Sequence, residues 1–477
     1  FKFLTILKIF SKIIFFYVKI KSVKNYNMEF ILKNLTIKTK LIGLLLLSLI
    51  TLSLIILFFS LSESKLQAKN NKLAQLSSIT SAKKQHIENY FSSISGLIVS
   101  VANTTTSSDA LYYMGRFFKN LEQYNEAQVM LDEGLDLSKV KTELKKHYEE
   151  KYLNDVNFNL SNVEPRGDIE SYLPKTNNGL LSQYIYIEKN EAKIGEKNDM
   201  PNGVVFASAY SLNHKKYHDT FNTILKKFDL YDIFLVDLEG NIVYSTFKEK
   251  DFATNLKTGP YSNSGIAQVN NKAYDLALGE IAFSDFKPYL PSYNTPAAFI
   301  STPVFRNGSR LGNLIMQFPV SVVDNIMSFD NKYKEVGLGE TGNSYLISSS
   351  DYKMRNNYRF IDKLNDKDIK SAKTTISYYE VKNSATKNAF EKGFGSEITK
   401  NPLGEEVLSS YDTIDVFGNK WAVVSEISTK EAFADFMHLA MILVIVSLVI
   451  LVITIFVSIT FLNNLSAFLF NPPNFLL

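Results

Sequence analysis

Residues 231–244, with the sequence YDIFLVDLEGNIVY, give the clearest indication of the fold. An apolar run lies within Asp232–Asp237 and is closed by Leu238-Glu-Gly-Asn241. The residues Ile242–Thr246 come directly after this turn sequence. Gly and Asn supply the positive φ angles that a tight hairpin turn requires. The stretch therefore predicts two short antiparallel strands joined by a turn.

The same arrangement recurs further along the chain. A second hairpin is predicted from Ala297–Phe305 and Leu311–Val320, and a later strand and closing hairpin from Asn343–Ser348, Val407–Val416 and Lys420–Ile427. The recurrence after roughly 110 positions is too long for a solenoid repeat. We therefore expect two α/β modules in tandem, the second nearer a membrane.

The region before these modules has a helical pattern. Apolar residues recur at helical spacing from Ser62 to about Val101 without a proline, which predicts one long stalk helix. Residues 110–155 are helical in pattern as well and end in the charged run Lys141–Lys151, which we expect to be a solvated face.

Two apolar segments flank the whole region. Leu41–Leu61 and Leu439–Leu462 contain no charged residue, and each is long enough to span a bilayer as a helix. Lys33, Lys38 and Lys40 precede the first segment, so the positive-inside rule places that flank in the cytoplasm. A cleaved signal peptide is the alternative for the first segment, but no A-x-A-like site follows it closely, which favours an uncleaved anchor.

The sequences at the two ends of the chain lead to two further expectations. The first methionine is Met28, so we hypothesise that translation naturally starts there. After the second apolar segment, residues 463–477 contain no Lys or Arg and include Pro472-Pro473. We expect them to form a short cytoplasmic tail of a fragment, a truncated product or an orphan sensor.

The amino-acid composition excludes several kinds of functional site. The chain has no cysteine, so thiolate metal sites and cysteine nucleophiles are excluded, and its net charge of +4 gives no basic patch for nucleic acid. We find no nucleophile-elbow or phosphate-loop motif and expect no enzyme, catalytic residue or cofactor. The glycines of Gly337-Leu-Gly-Glu-Thr-Gly342 precede a strand, so they predict a turn and not a nucleotide site.

His214 and His218 are spaced to share one helix face, as in some metal sites. The residues between them are Lys215, Lys216 and Tyr217, and two lysines beside a cation are unfavourable. We therefore expect no metal here, and a structural role or a pocket edge for the pair.

Several stretches together resemble a known family. They are 210–218 (YSLNHKKYH), 231–244, 259–265 (GPYSNSG), 283–289 (FSDFKPY), 337–347 (GLGETGNSYLI) and 421–427 (WAVVSEI). In order and spacing they resemble the double-Cache (PDC-like) periplasmic sensor domains of bacterial chemoreceptors (methyl-accepting chemotaxis proteins), sensor kinases and membrane cyclases, over about residues 62–435. Residues 34–41 (NLTIKTKL) resemble the cytoplasmic start of a chemoreceptor.

The resemblance implies an α+β fold in which a long helix runs beside two PAS-like antiparallel sheets, and it implies a homodimer. The domains we expect are a cytoplasmic segment (1–40), a transmembrane helix (41–61), a helical stalk and helical region (62–200), a membrane-distal module (201–330), a membrane-proximal module (331–435), a second transmembrane helix (439–462) and a short tail (463–477).

The distal module is the predicted ligand-binding module, because aromatic and polar groups cluster in its expected loops. The predicted site residues are Tyr244, Tyr261, Asp285, Phe286, Tyr289 and, at the pocket edge, His218. Asp285 is expected to pair with an ammonium group, and Tyr244 and Tyr261 to stack or donate hydrogen bonds. The alternative is that these tyrosines only pack the sheet and its loops. In the second module, Arg355 is expected to pair with a nearby surface acid, the alternative being a ligand carboxylate.

The function we expect is reception of a small molecule by the sensor portion of a receptor in the bacterial inner membrane, most nearly a chemoreceptor without its output domain. The alternatives are a membrane-anchored orphan protein that acts as a scaffold or partner-binding module, and the sensor half of a histidine kinase or cyclase.

Overall fold

A computed structural model describes residues 37–192, 196–199 and 208–470. One compact unit comprises Lys72–Glu431, and a second takes in the chain before Lys72 and after Glu431. Most of the expected cytoplasmic segment, the end of the expected tail and residues 201–207 of the first module lie outside the described residues.

Among the described residues, two helices are long and apolar enough to cross a membrane. Helix α1 spans Ile37–Ala102, and the C-terminal helix α12 spans Ala434–Phe470. Large apolar side chains are exposed on both, for example Leu44 at 73 % and Val452 at 66 %, as expected of surfaces that face lipid. The predicted helix from Ser62 to Val101 is confirmed, and it is continuous with the first apolar segment because no proline interrupts α1.

Ten shorter helices belong to the described part of the chain, and several begin at side chains that cap them. Thr104 accepts a hydrogen bond from the Ser107 amide, and Asp136 accepts one from the Ser138 amide. The helices are α2 (Thr105–Lys119), α3 (Leu121–Val129), α4 (Leu137–Tyr148), α5 (Asn177–Gln183), α6 (Ala209–Lys227), α7 (Gly265–Ala273), α8 (Val320–Ser328), α9 (Lys367–Ala372), α10 (Ser384–Lys392) and α11 (Thr429–Ala432).

The first module is built on a five-stranded antiparallel sheet with the order β2-β1-β5-β4-β3. Its strands are β1 (Asp232–Asp237), β2 (Ile242–Ser245), β3 (Ala282–Tyr289), β4 (Thr295–Arg306) and β5 (Ser309–Phe318). Both predicted hairpins are confirmed. Asn307 and Gly308 take φ angles of 50° and 78° in the turn between β4 and β5, as that turn requires.

The second module has a four-stranded antiparallel sheet with the order β6-β9-β8-β7. Its strands are β6 (Asn343–Ser348), β7 (Gly395–Lys400), β8 (Glu406–Val416) and β9 (Asn419–Ser428). The predicted strand and closing hairpin are confirmed, whereas β3 and β7 were not predicted. Strand β7 is an edge strand whose side chains are mostly exposed, so it lacks the alternation of apolar residues that identifies a strand.

The segment Lys72–Ala102 of helix α1 packs against both sheets. The ring of Phe91 lies 5.9 Å from that of Phe283 in β3, 5.8 Å from that of Phe318 in β5 and 5.6 Å from that of Trp421 in β9, all measured between ring centroids. These edge-to-face contacts confirm the expectation that the long helix lies beside both modules. The other face of the second sheet carries a separate core around Tyr345 and is covered by α10.

Candidate functional site

The feature of the first module that most needs explanation is the run Lys248-Glu-Lys-Asp251, directly after β2. Three of its four charged side chains are buried: Lys248 is 1 % exposed, Lys250 is 6 % and Asp251 is 0 %. Burial of an ionisable group costs several kcal/mol unless the group is paired or loses its charge. A run of buried charges is therefore expected to serve a purpose other than stability.

Asp232, at the start of β1, holds this loop in place. Its Oδ1 accepts hydrogen bonds from the amides of Thr246 and Phe247 at 2.9 Å each, and its Oδ2 accepts one from Ser245 Oγ at 2.6 Å. Burial raises the pKa of Asp232 to about 7, further supported by the negative charge of Asp251. The loop conformation is thus fixed by one buried carboxyl group.

The two lysines lie against aromatic rings. Lys248 Nζ lies 5.8 Å from the ring centroid of Tyr186 and donates to the Thr246 carbonyl at 3.1 Å. Lys250 Nζ lies 5.2 Å from the ring centroid of Tyr148 and 5.5 Å from that of Tyr152. Burial lowers the pKa of both lysines to about 7.

His147 connects Lys250 to an acid. Burial, with repulsion from Lys250, lowers the pKa of His147 to about 2, so the ring is neutral. Its Nδ1–H donates to Glu188, and its Nε2 accepts from Lys250 Nζ at 2.7 Å. The tautomer of His147 is therefore set by Glu188, and the ring acts as an acceptor for the lysine.

The acids of the run bind hydroxyl groups. Glu249 accepts hydrogen bonds from Tyr231 OH at 2.7 Å and Ser292 Oγ at 2.6 Å, while Asp251 Oδ2 accepts one from Tyr289 OH. Burial raises the pKa of Glu249 to about 8 and that of Asp251 to about 6. Asp251 Oδ1 makes no side-chain hydrogen bond with any described residue.

One cavity adjoins this charged run, and a second is connected to it by a single hydrogen bond. One, of about 30 Å³, lies between Tyr152, Lys197, Tyr293 and residues 247–250, and has room for a single water molecule. The other is a cleft of about 390 Å³, a size typical of small-molecule sites. Its walls include Phe158, Glu164, Tyr172, Pro260, Tyr261, Pro288, Tyr289 and Asn294. The hydrogen bond from Tyr289 to Asp251 joins the wall of this cleft to the charged run.

Of the six predicted site residues, Tyr261 and Tyr289 line the cleft. Their ring centroids are 6.4 Å apart. Tyr289 was expected in a loop but is the last residue of β3. The strand was missed because Lys287 and Pro288 interrupt its apolar pattern, and because its register shifts between Ser284 and Lys287.

Tyr244 and His218 form a second group, linked to the charged run through Thr246. Thr246 Oγ1 donates to Tyr244 OH at 3.2 Å, Tyr244 OH donates to His218 Nδ1 at 2.8 Å, and His218 Nε2–H donates to the Asn198 carbonyl at 2.6 Å. Burial lowers the pKa of His218 to about 3, so it is neutral, and both its nitrogens are occupied. Its ring stacks on that of His214 at 4.7 Å, in agreement with the predicted shared helix face. Tyr244 lies on β2, within the strand predicted at Ile242–Thr246.

Asp285 and Phe286 do not reach the cleft. Both lie on β3, and both oxygens of Asp285 are 2.9 Å from Arg355 Nε, so an arginine of the same chain takes the place of the expected ammonium group. Arg355 does pair with acids, Asp285 and Asp351, but not at the surface as expected: its side chain is only 2 % exposed. Phe286 packs beside Trp421, with 6.4 Å between ring centroids.

The run 248–251 was missed by the sequence analysis because a series of charges usually indicates a solvated face. One sequence feature could have indicated that this run is buried. The run comes directly after a short strand of the first hairpin, where the chain turns back into the module. Among the described residues, no group of three or more His, Cys, Asp or Glu side chains is arranged to hold a metal ion.

Solved structures that the comparison finds similar to this chain include the ligand-binding domain of the Pseudomonas aeruginosa amino acid chemoreceptor PctB in complex with L-Arg. It is 14 % identical with a TM-score of 0.29, over 44 % of this chain and 76 % of that one. The ligand-binding domain of the Pseudomonas fluorescens chemoreceptor CtaA in complex with L-serine is 12 % identical with a TM-score of 0.28, over 43 % and 76 %. The extracellular domain of the putative histidine kinase vpHK1S-Z8 is 14 % identical with a TM-score of 0.32, over 46 % and 77 %. No curated protein matches the chain.

The family comparison is decisive, because its model covers most of the chain. The model dCache_1, described as a Cache domain, matches residues 62–436, which include both sheets, the charged run and the cleft. Cache domains are sensor domains of membrane receptors, among them chemoreceptors and histidine kinases. The chain belongs to the double-Cache family of ligand-binding sensor domains.

Proposed function

We propose that this chain is the extracytoplasmic ligand-sensing portion of a transmembrane receptor of the chemoreceptor type, and that a small polar molecule binds in the cleft of the first module. The observation that carries the proposal is the hydrogen bond from Tyr289 in the cleft wall to the buried Asp251. A ligand that contacts Tyr289 changes the environment of a carboxyl group whose pKa burial has raised to about 6. Perturbed ionisable groups beside a cavity are typical of functional sites.

Strand β3 supplies a path from the cleft to the second module. Tyr289 ends the strand at the cleft, and Asp285, four residues earlier, binds Arg355 of the second module. In the proposed mechanism, ligand binding shifts β3 and changes the packing between the two sheets. A ligand biases these arrangements only by its difference in affinity for them.

The binding step is tested on the full chain in lipid nanodiscs. We expect one class among amino acids, organic acids, amines and purines to raise the melting temperature, because a ligand present at 100 times its Kd stabilises the folded state by about 2.7 kcal/mol. In titration calorimetry, Tyr289→Phe and Asp251→Asn are expected to weaken binding about tenfold or more, since the first removes the hydrogen bond to Asp251 and the second removes the charge of its acceptor. Asp275→Asn changes an exposed aspartate of the same module and should bind as the native chain does.

Two outcomes count against the proposal. If none of these classes stabilises the protein, the cleft is not a ligand site for them. If Tyr289→Phe and Asp251→Asn both bind with native affinity, the ligand binds elsewhere on the chain.

The receptor class is tested with a hybrid in which residues 37–470 are joined to the signalling module of a chemoreceptor. We expect a ligand-dependent change in swimming behaviour, abolished by Tyr289→Phe. Binding without any response in the hybrid favours the alternative of a scaffold or of a different output class.

Location in the bacterial inner membrane, with the Cache unit in the periplasm and two transmembrane helices, is part of the same proposal. It is supported by the exposed apolar surfaces of α1 and α12. Cysteines introduced at exposed positions of the Cache unit, such as Lys272, are expected to react with a membrane-impermeant maleimide on spheroplasts. The native chain provides a clean background because it has no cysteine. Light scattering of the solubilised chain tests the proposed homodimer.

A further inference from the structure

A row of four polar residues crosses the second sheet from one edge to the other. Glu397 on β7 lies opposite Ser409 on β8, Ser409 lies opposite Glu426 on β9, and Glu426 lies opposite Asn343 on β6. Directly opposed residues of an antiparallel sheet project from the same face. We call these four residues the polar row; they lie on the face covered by α10, because Tyr345, two residues from Asn343, belongs to the core on that side.

Three residues of the polar row are buried and Glu397 is half-buried, yet the hydrogen-bonding capacity of the row is largely unused. Asn343 and Ser409 are 0 % exposed, and Glu426 is 1 % exposed. Within the described part of the chain, no partner is present for Asn343 Oδ1 and Nδ2, Ser409 Oγ, Glu397 Oε1 or Glu426 Oε1. Nearly all buried polar groups in proteins are hydrogen-bonded, and each one left unpaired is costly. Five such atoms in one row therefore indicate a missing partner.

The polar row also holds two carboxyl groups that have no counter-ion. Neither Glu397 nor Glu426 takes part in an ion pair among the described residues. Glu397 accepts a hydrogen bond from Asn388 Nδ2 at 2.6 Å, and Glu426 accepts one from Tyr345 OH at 2.9 Å. Tyr358 OH also lies near Glu426, and Glu405 adds negative charge nearby. The missing partner is thus a donor of hydrogen bonds that carries positive charge.

We propose that the polar row is a second ligand site, in the second module, which binds a small organic ammonium ion. An ammonium nitrogen donates up to three hydrogen bonds, which matches the free acceptors Glu426 Oε1, Asn343 Oδ1 and Ser409 Oγ. The rings of Tyr345 and Tyr358 lie beside Glu426, with 6.1 Å between their centroids. Helix α10 turns the short side chains of Ala385 and Ala389 toward this core.

If the polar row binds an ammonium ion, the affinity for that ion depends on pH. A row with only a structural role has no such dependence. Burial raises the pKa of Glu426 to about 8, with Glu405 as a further cause, so the empty site holds a neutral carboxyl group at pH 7. An ammonium ion binds the carboxylate form, so binding releases a proton. The affinity is therefore expected to rise about tenfold per pH unit below pH 8 and to level off above it.

The test uses the full chain in nanodiscs with Asp251→Asn, so that the cleft of the first module contributes as little as possible. The probes are ethylamine, ethanolamine and putrescine, with acetamide and propionate as neutral and anionic controls. We expect at least one amine to bind with proton release, and Glu426→Gln to weaken it about tenfold or more. Ser409→Met, which fills the row without changing its charge, is expected to abolish binding.

Glu391→Gln, on the exposed side of α10, is the matched control and should bind as the parent chain does. The proposal is overturned if no amine binds, which leaves the row filled by water alone, or if Glu426→Gln binds amines with the affinity of the parent. Because the test monitors the second module, it succeeds or fails independently of the cleft in the first.

Discussion

Arg355 Nε lies 2.9 Å from both carboxylate oxygens of Asp285, and this buried ion pair fastens strand β3 of the first sheet to the second module. Two further groups of the second module bind the same carboxylate: Trp421 Nε1 donates to Oδ2 at 3.2 Å, and Ser348 Oγ donates to it at 3.2 Å. One side chain of β3 is therefore bound by three residues of the second module.

Breaking this pair is expected to be costly. Arg355→Met leaves Asp285 buried without its counter-ion and should lower the free energy of unfolding by about 3–5 kcal/mol in urea denaturation. The double variant Arg355→Met/Asp285→Leu removes both charges and should recover most of that loss.

The control is Lys226→Met, which breaks the pair between Lys226 and Asp199; both side chains are more than half exposed. Its expected effect is between 0 and about 1 kcal/mol. Equal effects of Arg355→Met and Lys226→Met would mean that the buried pair contributes little to holding the modules together.

Tyr289→Phe should make stability more sensitive to pH. Its hydroxyl group lowers the pKa of Asp251, which burial raises to about 6, so without it the pKa rises further. A carboxyl group with a raised pKa in the folded state loses stability as pH increases from its ordinary value to that raised value. We expect a loss of about 1–3 kcal/mol at pH 7.5 and a smaller loss at pH 4.5, measured by urea denaturation.

The comparison for that variant is Tyr112→Phe, whose side chain is partly exposed on α2. It should leave stability unchanged at both pH values. A loss of the same size at pH 4.5 and pH 7.5 for Tyr289→Phe would argue against a hydrogen bond to an ionised Asp251.

Glu426→Gln is expected to stabilise the protein at alkaline pH. Burial raises the pKa of Glu426 from 4.5 to about 8, so the folded state holds a proton that the unfolded state has released. The native chain should therefore lose stability between about pH 4.5 and pH 8, by at most about 1.4 kcal/mol per pH unit from this group. Glu426→Gln should not show this loss of stability with rising pH, whereas the control Glu391→Gln should show it as the native chain does.

Gly312→Ala is expected to disturb the pairing of β1 with β5. Gly312 has a φ angle of 151°, and a Cβ atom there would lie 2.0 Å from the Val236 carbonyl oxygen across the sheet. The backbone must shift to relieve this clash, which should cost about 1–3 kcal/mol in thermal or chemical denaturation. Gly96→Ala, in α1 with no atom within 4 Å of the added Cβ, should instead stabilise by about 0.5–1 kcal/mol.

The strands that the sequence predicted have an apolar run and a glycine or asparagine turn, as in β1, β2, β4, β5, β8 and β9. These signals are local, and the structure follows them. Strand β3 was missed because it contains Asp285, Lys287 and Pro288, whose fit depends on Arg355 and on a register shift. Arg355 lies far from β3 in the sequence, so a local pattern does not reveal that this strand forms.

The candidate site was only partly predictable for the same reason. Tyr261 and Tyr289 stood out as aromatic residues near glycine and proline, and both line the cleft. Lys250 and Asp251 gave no signal, because their burial depends on His147 and on strand β3, both distant in the chain. The polar row was equally hidden, since its four residues come from four separate strands.

The chain contains a single tryptophan, and it is Trp421, which is fully buried between Phe91, Phe286 and Asp285 at the boundary of the two sheets. The protein therefore has an optical reporter of its own at this boundary. Its ultraviolet emission reads out any change between the sheets without a dye, in real time and in the native chain.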